Sequence, residues 1–186
     1  MARLPILTVD TAPESVRPLL EKSQKAMGFL PHFVGMLAQA PAALETYMTV
    51  SGLNMRTSLN PGEREVVQLV AGTTHGCHFC VAAHTPAALG KGKLDPAVVE
   101  ALRAGQTLPD ARLEALARFA RSVIATRGDV PDAELQALRA AGFSDQQALE
   151  VVLGISLATL SNFANNLAHT PLNPELEPYA WQRPAA

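Results

Sequence analysis

The sequence is short of aromatic residues, which make up 5% of it, and short of charge: Asp, Glu, Lys and Arg together reach 17%, with a net charge of −2 at neutral pH. Few aromatics beside a hydrophobic share of 48% rich in Ala and Leu suit closely packed helices better than sheets, whose strands favour aromatic and β-branched side chains. So small a net charge removes the electrostatic case for nucleic acid or an anionic membrane as partner. The opening, MARLPILTVDTAPESV, has no basic segment leading into an apolar core of signal-peptide length, and no later apolar run reads as long and charge-free enough to span a bilayer. The expectation is a soluble, cytoplasmic protein. Cysteine occurs only twice, and 186 residues can bury a substantial core without staples. A lone Cys-x-x-Cys in a reducing compartment points to redox chemistry or metal binding rather than to a structural disulfide.

What is present is concentrated between Glu65 and His84, EVVQLVAGTTHGCHFCVAAH, which holds both cysteines and three of the five histidines. On a helix, Cys77 and Cys80 stand about 5 Å apart at Cα, within reach of a disulfide if the turn adjusts. His84 lies one turn beyond Cys80 on the same face, so its imidazole can reach that sulfur or a water bound to it, whereas Cys77 lies about 10 Å from it along the axis. The two thiols therefore read as unequal, Cys80 the activated sulfur and Cys77 the resolving one. Glu65, among Val66, Val67, Leu69 and Val70, reads either as a carboxylate facing a partly apolar interior or as a solvated one. His75, His78 and His84 with the two thiols also offer enough ligands for zinc, but they crowd into one short stretch, whereas structural zinc sites usually draw a second ligand pair from a separate segment.

Capping and proline signals set out the rest of an all-α chain. A first helix is expected from Thr11 as N-cap to Gly28, a short one over Leu30–Gln39 and another from Pro41 to Ser58. Met36, Met48 and Met55 read as core packing or, less simply, as the lining of an apolar pocket. Asn60, Pro61 and Glu63 form a capping-box start, Gly76 a break, and a new helix runs from Cys77 to about Leu89, with Pro86 as a kink. Helices follow after Asp95, Asp110 and Pro131, and a long apolar one from Asp145 to Leu167 reads as the most buried element or an oligomer contact. Asn162, Asn165, Asn166 and His169 at its end read as polar caps or as contributors to a pocket, caps being the simpler reading. Residues 1–170 are expected as one helical domain. Residues 171–186, with Tyr179 and Trp181, are expected as a proline-rich tail lying on its own or a neighbouring subunit.

The run LNPGEREVVQLVAGTTHGCHFCVAAH resembles the signature of the alkylhydroperoxidase D and carboxymuconolactone decarboxylase superfamily, most clearly over residues 59–90. LPHF near residue 30 and NNLAHTPLNPE near the end resemble its peroxidase-related branch. The resemblance implies an AhpD-like helical bundle and a thiol-dependent hydroperoxide reductase of antioxidant type. In it Cys80 is peroxidatic, Cys77 resolving, His84 the relay imidazole and Glu65 the carboxylate that orients it. Phe79 departs from the tyrosine common in relatives beside the second cysteine. His78 stands where a variable polar residue is usual. The resemblance further implies no cofactor or metal, a peroxide substrate, an external dithiol reductant such as a thioredoxin-like or lipoyl protein, and a homo-oligomer, dimer or hexamer. Alternatives left standing are a redox sensor, a thiol–disulfide oxidoreductase without peroxidase turnover, and lactone-acid decarboxylation, which has no need of a dithiol.

Overall fold

The computed structural model describes residues 2–184; Met1, Ala185 and Ala186, at the outer ends of the expected extended start and tail, lie outside them. The elements are α1 (Arg17–Met27), α2 (His32–Leu37), α3 (Pro41–Asn54), α4 (Pro61–His75), α5 (His78–Leu89), α6 (Pro96–Ala104), α7 (Ala111–Thr126), α8 (Asp132–Ala140) and α9 (Asp145–Ala168), with 3₁₀ turns at Glu14–Val16 and Pro174–Tyr179. There is no strand among the described residues, as the composition implied.

The hub is α4, packed against α5, α9, α7 and α6. Its start is fixed by a reciprocal cap. Asn60 Oδ1 accepts from the Glu63 N–H at 3.0 Å while Glu63 accepts from the Asn60 N–H at 2.9 Å. Burial of that carboxylate at 2% exposure is tolerable because Arg112 of α7 pairs with its other oxygen and lies 3.9 Å above the Phe143 ring. The C-terminus of α4 ends on Gly76 at φ 67°, a left-handed position that glycine occupies without steric cost. There the chain turns sharply into α5.

Two apolar clusters result. One gathers Val66, Val67, Leu69 and Val70 of α4 with Val81, Leu102, Leu116, Phe119 and Val151. The other joins Leu20, Phe33, Met36 and Leu44 of the N-terminal helices to Cys77, Phe79, Cys80 and Ala168. Helix α5 contributes to both, so the dithiol sits where the two cores meet.

Several expectations need correction. Thr11 caps no helix; its hydroxyl accepts from the Thr8 N–H at 2.9 Å in a local turn, and α1 starts later with Pro18 in its first turn. Helix α3 stops at Asn54, not Ser58. Met55 is 68% exposed and no part of the core, while Met36 is buried. Helix α9 does have a stretch long and apolar enough to cross a bilayer by length and composition, with mean hydropathy 1.3. Its Val151, Ile155, Leu157 and Ala158 are instead buried in the protein, and Leu149, Val152, Phe163 and Leu167 of the same helix are exposed. The tail is seated on its own chain, as one of the two expected arrangements: Trp181 is buried and donates its indole N–H to the Arg103 carbonyl at 2.8 Å.

Candidate functional site

Cys77 is the N-cap of α5 and is anchored by its own N–H, which donates to the Gly72 carbonyl at 2.9 Å. Its Sγ accepts from the Cys80 backbone N–H at 3.3 Å, taking up one of the unpaired donors at the helix start. Both cysteines are free thiols, their sulfurs 2.7 Å apart and sharing a thiol hydrogen. Both are sealed, at 0% and 4% exposure. Gly72 of α4 makes the close approach possible, since a Cβ there would stand 3.1 Å from Val81 and 3.8 Å from Cys80 Cβ.

The electrostatics of the pair are lopsided. The hydrogen bond with Cys80 pulls the Cys77 thiol below its ordinary value; burial opposes this, and the N–H groups of Cys80 and Phe79 add to it. Burial pushes the Cys80 thiol well above its ordinary value, the hydrogen bond and charge of Cys77 push the same way, and Asn165 and Ser161 pull it back. Spacing alone assigned the activated sulfur to Cys80. In the resting pair these directions favour the negative charge on Cys77, beside the helix N-terminus, and leave open which sulfur attacks.

Glu65 of α4 and His84 of α5 meet at 2.7 Å, carboxylate to Nδ1, both partly shielded. The solvated alternative for Glu65 therefore drops out. Burial works against the His84 imidazolium, but the Glu65 charge and hydrogen bond outweigh it and raise the pKa above the ordinary 6.5. No hydrogen bond joins His84 to either sulfur among the described residues, although Cys80 and His84 share α5 and Cys77 caps it.

Two contributors carried no signal that spacing could reveal. Tyr47 of α3 packs edge-on against Phe33, ring centroids 4.7 Å apart, in the cluster that holds the cysteines. Its phenol is pushed above its ordinary value by burial first and then by the charges of Cys80 and Glu65, so it stays protonated beside them. Asn165 is the second. Of the two readings of the α9 asparagines, caps and pocket contributors, Asn165 does not follow the first: it is 1% exposed and its amide donates to Cys80 Sγ at 3.3 Å. Asn162 is bonded to His75 Nδ1 at 3.1 Å, and Asn166 donates to the His75 carbonyl at 2.9 Å. The reason is register: at the end of α9 these amides face the α4–α5 corner rather than the helix's own last turn. His169 does end α9, at φ 51°. A pocket of about 430 Å³ opens at this corner, lined by Gly76, His78, Asn165, Asn166 and His169. Among the described residues no three His, Cys, Asp or Glu side chains converge as metal ligands would.

Fold and site together define a class: helical proteins with a Cys-x-x-Cys at the N-terminus of a helix whose His pairs with a Glu of the helix before it. Residues 41–122 match the model of the carboxymuconolactone decarboxylase family. The fold matches an AhpD-core, peroxidase-related protein from Ralstonia eutropha at 26% identity and TM-score 0.82, covering 94% of both chains. A peroxidase-related protein from Silicibacter matches at 22% identity and TM-score 0.80, over 94% of this chain and 93% of that one. The debrominase Bmp8, in complex with 2,3,4-tribromopyrrole, shares the fold at 14% identity and TM-score 0.77, over 95% of this chain and 94% of that one. No curated protein matches. Over residues 41–122 the chain is thus similar to the carboxymuconolactone decarboxylase family, and its fold as a whole is similar to that of the AhpD core.

Proposed function

We propose that the protein is an enzyme, a dithiol hydroperoxide reductase working through Cys80 and Cys77 with the Glu65–His84 pair as proton relay. The observation that carries this reading is the coincidence, within one helix and its partner, of two thiols at 2.7 Å and a carboxylate–imidazole pair at 2.7 Å. The pair of sulfurs titrates as a unit. Once one proton has left through a water to His84, the remaining one shuttles across the short S···S contact and leaves thiolate on either sulfur. Thiolate on Cys80 attacks the terminal oxygen of a hydroperoxide; the S–O bond forms, the O–O bond breaks, and the departing alkoxide takes a proton from the relay. Cys77 then displaces water from the Cys80 sulfenic acid, giving a disulfide that an external dithiol, thioredoxin-like or lipoyl, reduces. Two electrons pass from the dithiol to the peroxide in each cycle. The same reading has the protein acting in the cytoplasm as a homo-oligomer, with the exposed apolar residues of α9 as the contact.

A second reading has one observation in its favour. The depressed pKa of Cys77 suits a thiol–disulfide oxidoreductase in which Cys77 attacks a partner disulfide. Its burial at 0% exposure works against access by a protein substrate.

The test is peroxide consumption by the reduced protein with hydrogen peroxide and an organic hydroperoxide, a dithiol reductant, and Cys77→Ser and Cys80→Ser controls. Steady turnover abolished in Cys80→Ser, with recycling lost in Cys77→Ser, is expected. A Cys77–Cys80 disulfide that forms without peroxide turnover would transfer the assignment to the second reading.

A further inference from the structure

The buried face of α9 carries Leu157, Ala158 and Ala168, but Ser161 and Asn165, one turn apart on the same face, are buried with them at 6% and 1% exposure. Asn165 Nδ2 donates to Cys80 Sγ at 3.3 Å. The other end of that amide, Oδ1, is sealed and has no hydrogen-bond partner among the described residues. A buried acceptor left unpaired destabilises a fold, because the group has lost its water and gained nothing. Leucine, with the same branching, would carry no such cost. The amide is therefore explained by what its nitrogen does for the sulfur, not by packing.

We propose that this face of α9 selects Cys80 as the attacking sulfur: Asn165 Nδ2 and Ser161 Oγ form a two-donor cradle that draws the thiolate from Cys77 to Cys80. The inference rests on the peroxidase reading above and deepens it. Attack on a peroxide needs charge and access on the same atom. The N-terminus of α5 offers charge to Cys77, which is closed at 0% exposure, whereas Cys80 keeps a narrow opening of 4%. Without donors of its own, Cys80 would have the access and not the charge. Burial is the largest influence on its thiol and raises it, and Cys77 adds to the rise; the hydrogen bonds from Asn165 and Ser161 work the other way. Because one hydrogen is shared across the 2.7 Å S···S contact, a modest change in the donors around one sulfur moves the charge between the two.

Ser161 is the adjustable member. Its one hydroxyl hydrogen is engaged by the Ala158 carbonyl at 3.0 Å, and a hydroxyl changes acceptor by rotation about a single bond. When the dithiol loses a proton, the hydroxyl turns from that carbonyl to the Cys80 sulfur, so the cradle is complete only in the ionised pair. Asn162, next along α9, is committed elsewhere, its amide bonded to His75 Nδ1 at 3.1 Å. The donors dull the thiolate less than they populate it, because nucleophilicity falls with pKa at a slope of only about 0.4–0.5. Thiolate on Cys80 then attacks the terminal peroxide oxygen; the S–O bond forms, the O–O bond breaks, and the alkoxide leaves with a proton from the Glu65–His84 relay. Neither α9 residue exchanges a proton in that step. Both hold charge in place.

The test labels the reduced protein, both cysteines present, with less than one equivalent of iodoacetamide and reads the ratio of Cys80 to Cys77 labelling by peptide mass spectrometry. Asn165→Leu is expected to lower that ratio about tenfold, as loss of a donor to a charged sulfur does. Ser161→Ala is expected to lower it about threefold, since that hydroxyl must first give up a carbonyl, and Ser161→Thr, which restores the hydroxyl, to recover most of the loss. A native ratio in either Asn165→Leu or Ser161→Ala would overturn the two-donor cradle. So would a Ser161→Thr ratio as low as that of Ser161→Ala, which would make packing responsible and not the hydroxyl. Should Asn165→Leu fail to fold, the two Ser161 variants decide by the same ratios. Failure of the peroxidase reading looks different: the ratios fall as expected, but the Cys77→Ser protein, with Cys80 and both donors intact, forms no sulfenic acid with hydrogen peroxide or tert-butyl hydroperoxide.

Discussion

At the scale of single residues, the Glu65–His84 contact makes a claim about pH. The folded-state pKa of His84 is raised, so the pair stabilises the protein fully below the ordinary imidazole value of 6.5, and that stabilisation is lost as pH rises through the raised value. Glu65→Gln is therefore expected to lower the His84 pKa, read by NMR titration of the ring. The melting temperature of the variant should fall further behind that of the native protein near pH 6 than near pH 9, by about 2–4 °C. A deficit that stays constant with pH would mean that the two side chains are packed together without being electrically coupled. The two thiols allow a similar separation. With Cys80→Ala, Cys77 loses the hydrogen bond that contributes most to its lowered pKa, so the pH midpoint for its alkylation should move up. Cys80→Ser, which keeps a donor, should hold the midpoint closer to the native one.

At the scale of elements, two features hold the corner between α4 and α5. Arg112→Met strands the buried Glu63 carboxylate with only the Asn60 N–H for company, and should cost about 2 kcal/mol in chemical denaturation. Gly72→Ala forces a methyl to within 3.1 Å of Val81, parting α4 from α5. It should cost about 1–2 kcal/mol and shift the Cys77 alkylation profile, although it touches no sulfur directly. This corner was also the most legible part of the chain. Asn60, Pro61, Glu63 and Gly76 announce their roles locally, because caps and left-handed turns are decided by the residue at the position and its immediate neighbours. The spacing of Cys77, Cys80 and His84 on one helix was readable for the same reason. Tyr47 and Asn165 were not readable, since their relation to Cys80 spans 33 and 85 positions and depends on how α3 and α9 rotate when they pack. The asparagines left two readings open for a definite reason: at a helix end an amide can serve the last turn or a neighbouring helix, and sequence does not say which.

At the scale of the whole molecule, α9 has two faces. One is buried in the core; the other carries Leu149, Val152, Phe163 and Leu167 at 72%, 45%, 57% and 64% exposure. Their spacing in steps of three and four, or sums of these, keeps them along one side of the helix. If they form the proposed contact between copies, Leu149→Lys with Phe163→Asp should reduce the assembled mass to that of one 19.7 kDa chain in light scattering. The variant should keep the reactivity of Cys77. An unchanged mass would place the contact elsewhere.

The C-terminal segment also acts on the molecule as a whole. Arg103 of α6 binds Thr85 of α5 at 2.7 Å and the carbonyls of Tyr179 and Ala180 at 3.2 and 3.0 Å, while Arg183 reaches the Thr74 carbonyl at 3.1 Å. Arg103 and Thr74, on either side of the dithiol helix, are thus fastened by residues synthesised 76 to 109 positions later. On the ribosome, α4 and α5 leave the exit tunnel long before their clasp does. For that interval the nascent chain holds its two thiols without the C-terminal contacts that fasten their surroundings in the finished protein.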